Sequence, residues 1–185
     1  MMGRISSFML LGFSLGLFTA CGTSEVDQGG AIIGNGAPLS AAAIFESRPG
    51  AEIAGTVKFI QTEDGVLIAA VLSGLPPGKH GIHLHEKGEC IAPDFASAGE
   101  HFNPTGQPHA CPPDKNRHAG DLGNIEVDAE GNGRFELRTD LLTLDAGESS
   151  VVGKAVIIHD MADDCMTHPS GASGTRLSCA VVQMK

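Results

Sequence analysis

The sequence predicts an all-β domain of about eight strands, closed into a sandwich or flattened barrel and carrying two long irregular loops. Three observations point there. Apolar and polar residues alternate in short runs rather than at helical spacing. Turn-forming residues separate those runs, among them Asp64-Gly65, Pro76-Pro77-Gly78 and Gly131-Asn132-Gly133. The chain holds 25 Gly and 10 Pro in 185 residues, a composition that disfavours long helices. A hydrophobic content of 42% and a mass of 19.0 kDa fit one domain with a sizeable core.

Residues 1–20 read as a signal peptide. Arg4 gives a positive start, Phe8 to Phe18 is apolar but too short to span a bilayer, and Thr19-Ala20-Cys21 ends it. The pattern is that of a bacterial lipoprotein signal with cleavage before Cys21 and lipid on its thiol; an ordinary secretory signal leaving Cys21 free is the alternative. Either way the mature chain is expected outside the cytoplasm, in the periplasm or cell envelope. Residues 21–38 are Gly-rich and polar, and read as a flexible tether. The domain then occupies 39–185.

Ser40 to Ser47 is the first strand. Ile53 to Gln61 places Ile53, Val57 and Phe59 on one face and Thr56, Lys58 and Ile60 on the other. An Asp64-Gly65 hairpin turn leads into Val66 to Leu72. Lys79 to Glu86 follows the proline corner, and its alternation puts His83 and His85 on one face with His80 opposite. Residues 88–120 lack periodicity and hold five prolines. A loop of that length inside a compact domain needs something to order it. Asn124 to Asp128 and Arg134 to Leu137 form a hairpin. Val151 to His159 is an apolar strand, residues 160–175 are a second irregular loop, and Leu177 to Gln183 is the last strand.

Six of the eight histidines and one aspartate form the most chemically specific pattern: His83-x-His85, His101, His109, His118, Asp121 and His159. Imidazole suits copper and zinc. Seven groups are one short of two four-coordinate ions, and one histidine using both ring nitrogens would close the gap. The formal net charge is -10, or -11 once the signal with Arg4 is removed. That balance argues against nucleic acid or an anionic membrane surface as a partner.

Four stretches carry a resemblance to the copper/zinc superoxide dismutases: Gly81-Ile82-His83-Leu84-His85-Glu86 with Gly88 and Cys90, Ser97-Ala98-Gly99-Glu100-His101-Phe102-Asn103-Pro104, His118-Ala119-Gly120-Asp121-Leu122-Gly123-Asn124, and Gly174-Thr175-Arg176-Leu177-Ser178-Cys179. The resemblance covers about residues 40–185. It implies an eight-stranded Greek-key flattened barrel, immunoglobulin-like in kind, and possible homodimers. It implies copper, cycling between Cu(II) and Cu(I), on His83, His85, His101 and His159. It implies Zn(II) on His101, His109, His118 and Asp121, with His101 shared. Superoxide would then be converted to oxygen and hydrogen peroxide by alternate reduction and reoxidation of the copper, with His101 taking up and giving back a proton.

Other positions follow from the same resemblance. Arg176 would dock the small anion, since a guanidinium stays charged at any relevant pH. Asp163 would accept hydrogen bonds from His83 and His109, with Asp164 the neighbouring alternative. Outside the resemblance, His80 faces away from His83 and His85 by alternation and is expected to make a structural hydrogen bond, and His168, in a polar loop, is expected to be solvated. Cys90 and Cys179 would form the family disulfide, a closure worth roughly 4–5 kcal/mol in the chain-entropy model.

Cys111 and Cys165 lie outside the family pattern. Each stands two residues after a group that Asp163 should bring together, namely His109 and Asp163 itself. A second disulfide between them is expected, pinning the two long loops to each other. Apart from Arg176, the second loop holds no Lys or Arg to guide an anion. Lys79, Lys87, Lys115 and Arg117 are the candidates from elsewhere. The competing reading is an exported copper- or zinc-binding protein of this fold without turnover.

Overall fold

The computed structural model describes residues 37–185, and these form one unit. The expected signal, the Cys21 anchor and nearly all of the tether lie outside them. The strands are β1 (Ser40–Ile44), β2 (Glu46–Ser47), β3 (Ala54–Thr62), β4 (Gly65–Ser73), β5 (Gly78–His85), β6 (Asp121–Val127), β7 (Asn132–Thr139), β8 (Ala155–His159), β9 (Arg176–Val181) and β10 (Gln183–Met184). A single 3-10 turn, Ala96–Ala98, interrupts the long loop. All strand pairings are antiparallel, in the order β10-β1-β3-β4-β7-β6-β5-β8-β9-β2.

The ten segments are the eight expected strands, two of them interrupted. Ala41 pairs with Met184 and Glu46 with Cys179, which is one continuous register across the breaks at Phe45 and Val182. The sheet therefore curls until its ends meet, and no long edge is left open. The run β4-β7-β6-β5 is a Greek key, crossed at the Leu75-Pro76-Pro77 corner.

Inward-facing residues behave as the alternation predicts. Val57 and Phe59 of β3 and Val66 and Ile68 of β4 are fully buried. The β3–β4 turn falls on Glu63-Asp64, one residue earlier than expected, because Thr62 already pairs with Gly65. Gly65 instead opens β4 at φ 126°, where a Cβ would run into the Thr139 carbonyl of β7. From His80 to His85, β5 is buried on both faces. One face meets the apolar core through Ile82 and Leu84, and the other lies under the two long loops.

Candidate metal centre

The ligand-type residues sit at strand ends where the ladder is locally broken. The β5–β6 register shifts between Ile82 and His83, where His83 pairs with Asp121, and the β8–β9 register shifts between Ile158 and His159, where His159 pairs with Arg176. Such irregularities re-aim side chains without ending the strand. His101 is held by an isolated bridge to His85. His109, His118 and Asp163 come from the loops.

Two sets of four result: His83, His85, His101 and His159, and His101, His109, His118 and Asp121. All seven residues are buried. In the first set, each ring has one nitrogen held by a protein oxygen, that of His101 by Asp121. His83 Nε2–H donates to Asp163 Oδ2 at 2.8 Å, His85 Nδ1–H to the Gly99 carbonyl at 2.9 Å, and His159 Nδ1–H to the Gly174 carbonyl at 3.4 Å. Their other nitrogens, His83 Nδ1, His85 Nε2 and His159 Nε2, have no partner, and neither does His101 Nε2. Four orphaned nitrogens in a dry interior are costly unless something binds them. A copper ion fits this all-nitrogen set.

The second set is built around Asp121. His101 Nδ1 lies 2.6 Å and His118 Nδ1 3.1 Å from its Oδ1, and His109 Nδ1 lies 2.9 Å from its Oδ2 without hydrogen-bond alignment. Three nitrogens and a carboxylate, all enclosed, suit a structural zinc.

Asp163 joins the two sets, because His109 Nε2–H donates to its Oδ1 at 3.0 Å while Oδ2 holds His83. The neighbouring Asp164 is exposed and caps a turn through the Met166 and Thr167 amides. Asn124 adds a contact that its place in the Gly120–Asn124 motif does not reveal. Its amide donates to the Asp163 carbonyl at 2.9 Å, and its oxygen accepts from the Asp163 N–H at 2.7 Å. It fixes the main chain that carries the bridging carboxylate. The only available signal was its place in the Gly120-Asp121-Leu122-Gly123-Asn124 run.

Electrostatics separate the two sets. Burial pushes His83 down to about 4 against the pull of Asp163, and holds His85 and His159 well below the usual imidazole range. Burial also works against charge on His109, but the close Asp121 contact, the hydrogen bond to Asp163 and the charges of both carboxylates outweigh it and raise it to about 9. Burial alone would raise both aspartates. The hydrogen bond from His101 and the close His109 contact hold Asp121 far below the carboxylate range, and bonds from His109, His83 and the Cys165 amide do the same for Asp163.

Arg176 is half-buried and donates to the carbonyls of Phe95 at 2.6 Å and Gly99 at 2.7 Å. Its charge is felt at His85 and His159. Cys90–Cys179 and Cys111–Cys165 are both bonded. His80 makes the structural contacts expected, with Nδ1 2.8 Å from the His159 carbonyl and Nε2 2.9 Å from that of Pro76. His168 is exposed, and its Nδ1 accepts from the His109 N–H at 3.3 Å.

The candidate guiding cations are mostly engaged elsewhere. Lys79 pairs with Glu126 and Lys115 with Asp140, while Arg117 is buried on the Asp114 and Asp121 carbonyls. Burial of a fixed guanidinium against carbonyls removes Arg117 from any role in solution guidance.

Comparison with known proteins agrees with this geometry. A family model described as copper/zinc superoxide dismutase (SODC) matches residues 53–182. The chain is 39% identical over 137 residues to Cu-Zn superoxide dismutase 2 of Aquifex aeolicus (strain VF5), covering 71% of this chain and 80% of that protein. It is 38% identical over 152 residues to an extracellular Cu-Zn superoxide dismutase of Caenorhabditis elegans, covering 75% and 66%. Among solved structures, the clock protein EA4 matches with a TM-score of 0.71 at 37% identity, over 83% of this chain and 99% of that one. A double mutant of a SOD-like protein from Bacillus subtilis matches with a TM-score of 0.68 at 37% identity, over 75% and 94%.

Proposed function

The chain belongs to the copper/zinc superoxide dismutase family, and from that premise we propose that it converts superoxide to oxygen and hydrogen peroxide at the centre described above. His83, His85, His101 and His159 would hold copper through their unpartnered ring nitrogens, and His101, His109, His118 and Asp121 would hold zinc. The observation that carries this is the set of four orphaned ring nitrogens beside a carboxylate-centred histidine set. Copper supplies one-electron redox chemistry there, and zinc a fixed charge without redox.

The remaining work falls to the chain. Arg176, locked on two carbonyls, presents a permanent cation beside His85 and His159 and docks the anionic substrate. His101 keeps Nδ1 on the Asp121 side, so a proton taken up or released moves at Nε2, the atom facing the first set. Two superoxides and two protons give one oxygen and one peroxide; His101 supplies one proton and solvent the other. Asp163 fixes the tautomers of His83 and His109.

The test is superoxide turnover by the fully loaded protein, and its abolition in His159→Ala. Full occupancy of both metals without turnover would establish the alternative, a metal-binding protein of this fold. An exported location is supported by the two disulfides and by the extracellular relative. The finer proposal, a lipid on Cys21, rests on the sequence of residues 1–21 and is checked by mass spectrometry of the mature N-terminus.

A further inference from the structure

The Cys111–Cys165 disulfide lies where the two long loops meet, outside both histidine sets. Its partners are 54 residues apart in sequence with Cα atoms 5.0 Å apart. On one side, Cys111 follows His109 by two residues, and the intervening Ala110 amide donates to Asp121 Oδ2 at 3.3 Å. On the other side, Cys165 sits at φ 62°, and its amide donates to Asp163 Oδ1 at 2.7 Å. That same oxygen accepts from His109 Nε2. The crosslink therefore joins the two pieces of chain that build one hydrogen bond, His109 to Asp163 Oδ1. It ties down the Oδ1 side of the carboxylate, whereas Oδ2 serves His83.

We propose that the Cys111–Cys165 disulfide is a positioning device for zinc: it holds Asp163 Oδ1 against His109, and its loss speeds release of zinc selectively over copper. The inference rests on the zinc assignment above. The selectivity follows from the anchoring of the two sets. In the copper set only His83 shares Asp163, and it does so through Oδ2, while His85 and His159 are held by the Gly99 and Gly174 carbonyls, away from the His109–Asp163 Oδ1 contact. Of the zinc set, His109 has its outer nitrogen on Asp163 alone. Loss of a partner that orients a metal ligand typically costs about 10–100-fold in metal affinity.

The crosslink is also the more accessible of the two. Both of its cysteines are half-buried, as is Cys90 of the other disulfide, whereas that bond's second sulfur, on Cys179, is fully buried. A dithiol reductant breaks the Sγ–Sγ bond with two electrons and two protons, leaving two thiols and becoming a cyclic disulfide itself. With two partly accessible sulfurs against one, Cys111–Cys165 is expected to be reduced first.

The experiment compares metal release from the loaded wild type and from the Cys111→Ser, Cys165→Ser double variant, using chromogenic chelators for each ion. Zinc release about tenfold faster or more, with copper release within threefold of wild type, is expected. Equal acceleration of both metals, or unchanged zinc release, would overturn the proposal. A second measurement guards against a variant that fails to fold. The wild type is titrated with dithiol, trapped by alkylation and mapped by mass spectrometry. Zinc release should track labelling of Cys111 and Cys165 and precede labelling of Cys90 and Cys179; release that tracks Cys179 overturns it. Wild-type protein that never takes up zinc would sink the zinc assignment itself, a different result from equal release rates.

Discussion

Gly171 is the position at which one added methyl group should do most damage. Its backbone is left-handed at φ 66°, and a Cβ there would run into Asp163 Oδ1 and lie 2.7 Å from His109 Nε2. The carboxylate has nowhere to go: its side chain is fully buried, and it also holds His83 and the Cys165 amide. Gly171→Ala combines two costs. Left-handed backbone with a Cβ costs about 1–2 kcal/mol. Losing the charge-assisted His109–Asp163 bond costs about 1.5–3 kcal/mol. The sum, ~3–5 kcal/mol, is a large share of the ~5–15 kcal/mol typical of a domain. Gly106 provides the control, since it has nearly the same φ, 65°, with nothing within 4 Å of its would-be Cβ. Gly106→Ala should lose only the ~1–2 kcal/mol backbone cost. Urea denaturation of the metal-free, disulfide-intact proteins reads the difference, and competition with a chelator should show a zinc affinity down about 10–100-fold in Gly171→Ala alone. Equal losses in the two variants would refute the steric reasoning.

Four more outcomes follow from the same geometry. His159→Ala should lose copper and turnover while metal analysis still finds one zinc per chain, because His159 belongs to one set only. Asn124→Ala removes both hydrogen bonds to the Asp163 main chain and should destabilise the protein by about 2–3 kcal/mol in denaturant. Arg176→Gln should lower kcat/KM by about tenfold or more and flatten its salt dependence in stopped-flow assays. Zinc uptake by the metal-free protein should release a proton at pH 7–8, measured in buffers of different ionisation enthalpy, because His109, raised to about 9, must shed one. His83, His85 and His159 are already neutral there, so copper uptake should show no comparable slope. The sign for stability follows: the contribution of the His109 proton is complete below about 6.5 and fades as pH rises through about 9.

Much of this was legible in the sequence because strand alternation and ligand spacing are both local patterns. Val57 and Phe59 face inward, and His83 and His85 face together with His80 opposite, from a period of two alone. Even the Cys111–Cys165 bond could be inferred, since each cysteine is two residues from a group expected at one carboxylate. What stayed hidden depends on contacts between distant segments. Nothing local shows that Arg117 turns inward onto carbonyls, or that Asn124 grips the Asp163 backbone. Nor does spacing reveal which ring nitrogen faces a metal. That is decided by the acceptor on the other side of each ring, often a backbone carbonyl such as Gly99 or Gly174.

Those acceptors explain how a site can be ordered before its metals arrive. Each oxygen consumes one nitrogen of a ring and turns the other inward, so the copper set is aimed by the protein and not by the ion. The arrangement has a consequence for folding. The four unpartnered nitrogens of the copper set, together with His109 Nδ1, each cost about 1–3 kcal/mol in the metal-free state. The domain tolerates this because the barrel beneath closes on itself and both long loops are crosslinked. Metal binding then removes a cost already present in the fold and adds its own free energy to stability. The two sets should contribute differently. The zinc set already has its charges balanced by Asp121, so zinc replaces a proton there, whereas copper meets His83, His85 and His159 in their neutral form with their inward nitrogens unpartnered. Raising pH from 7 to 8 should therefore strengthen the stabilisation conferred by zinc and leave that conferred by copper nearly unchanged. Thermal melts of singly loaded proteins would contradict this reasoning if both metals responded alike.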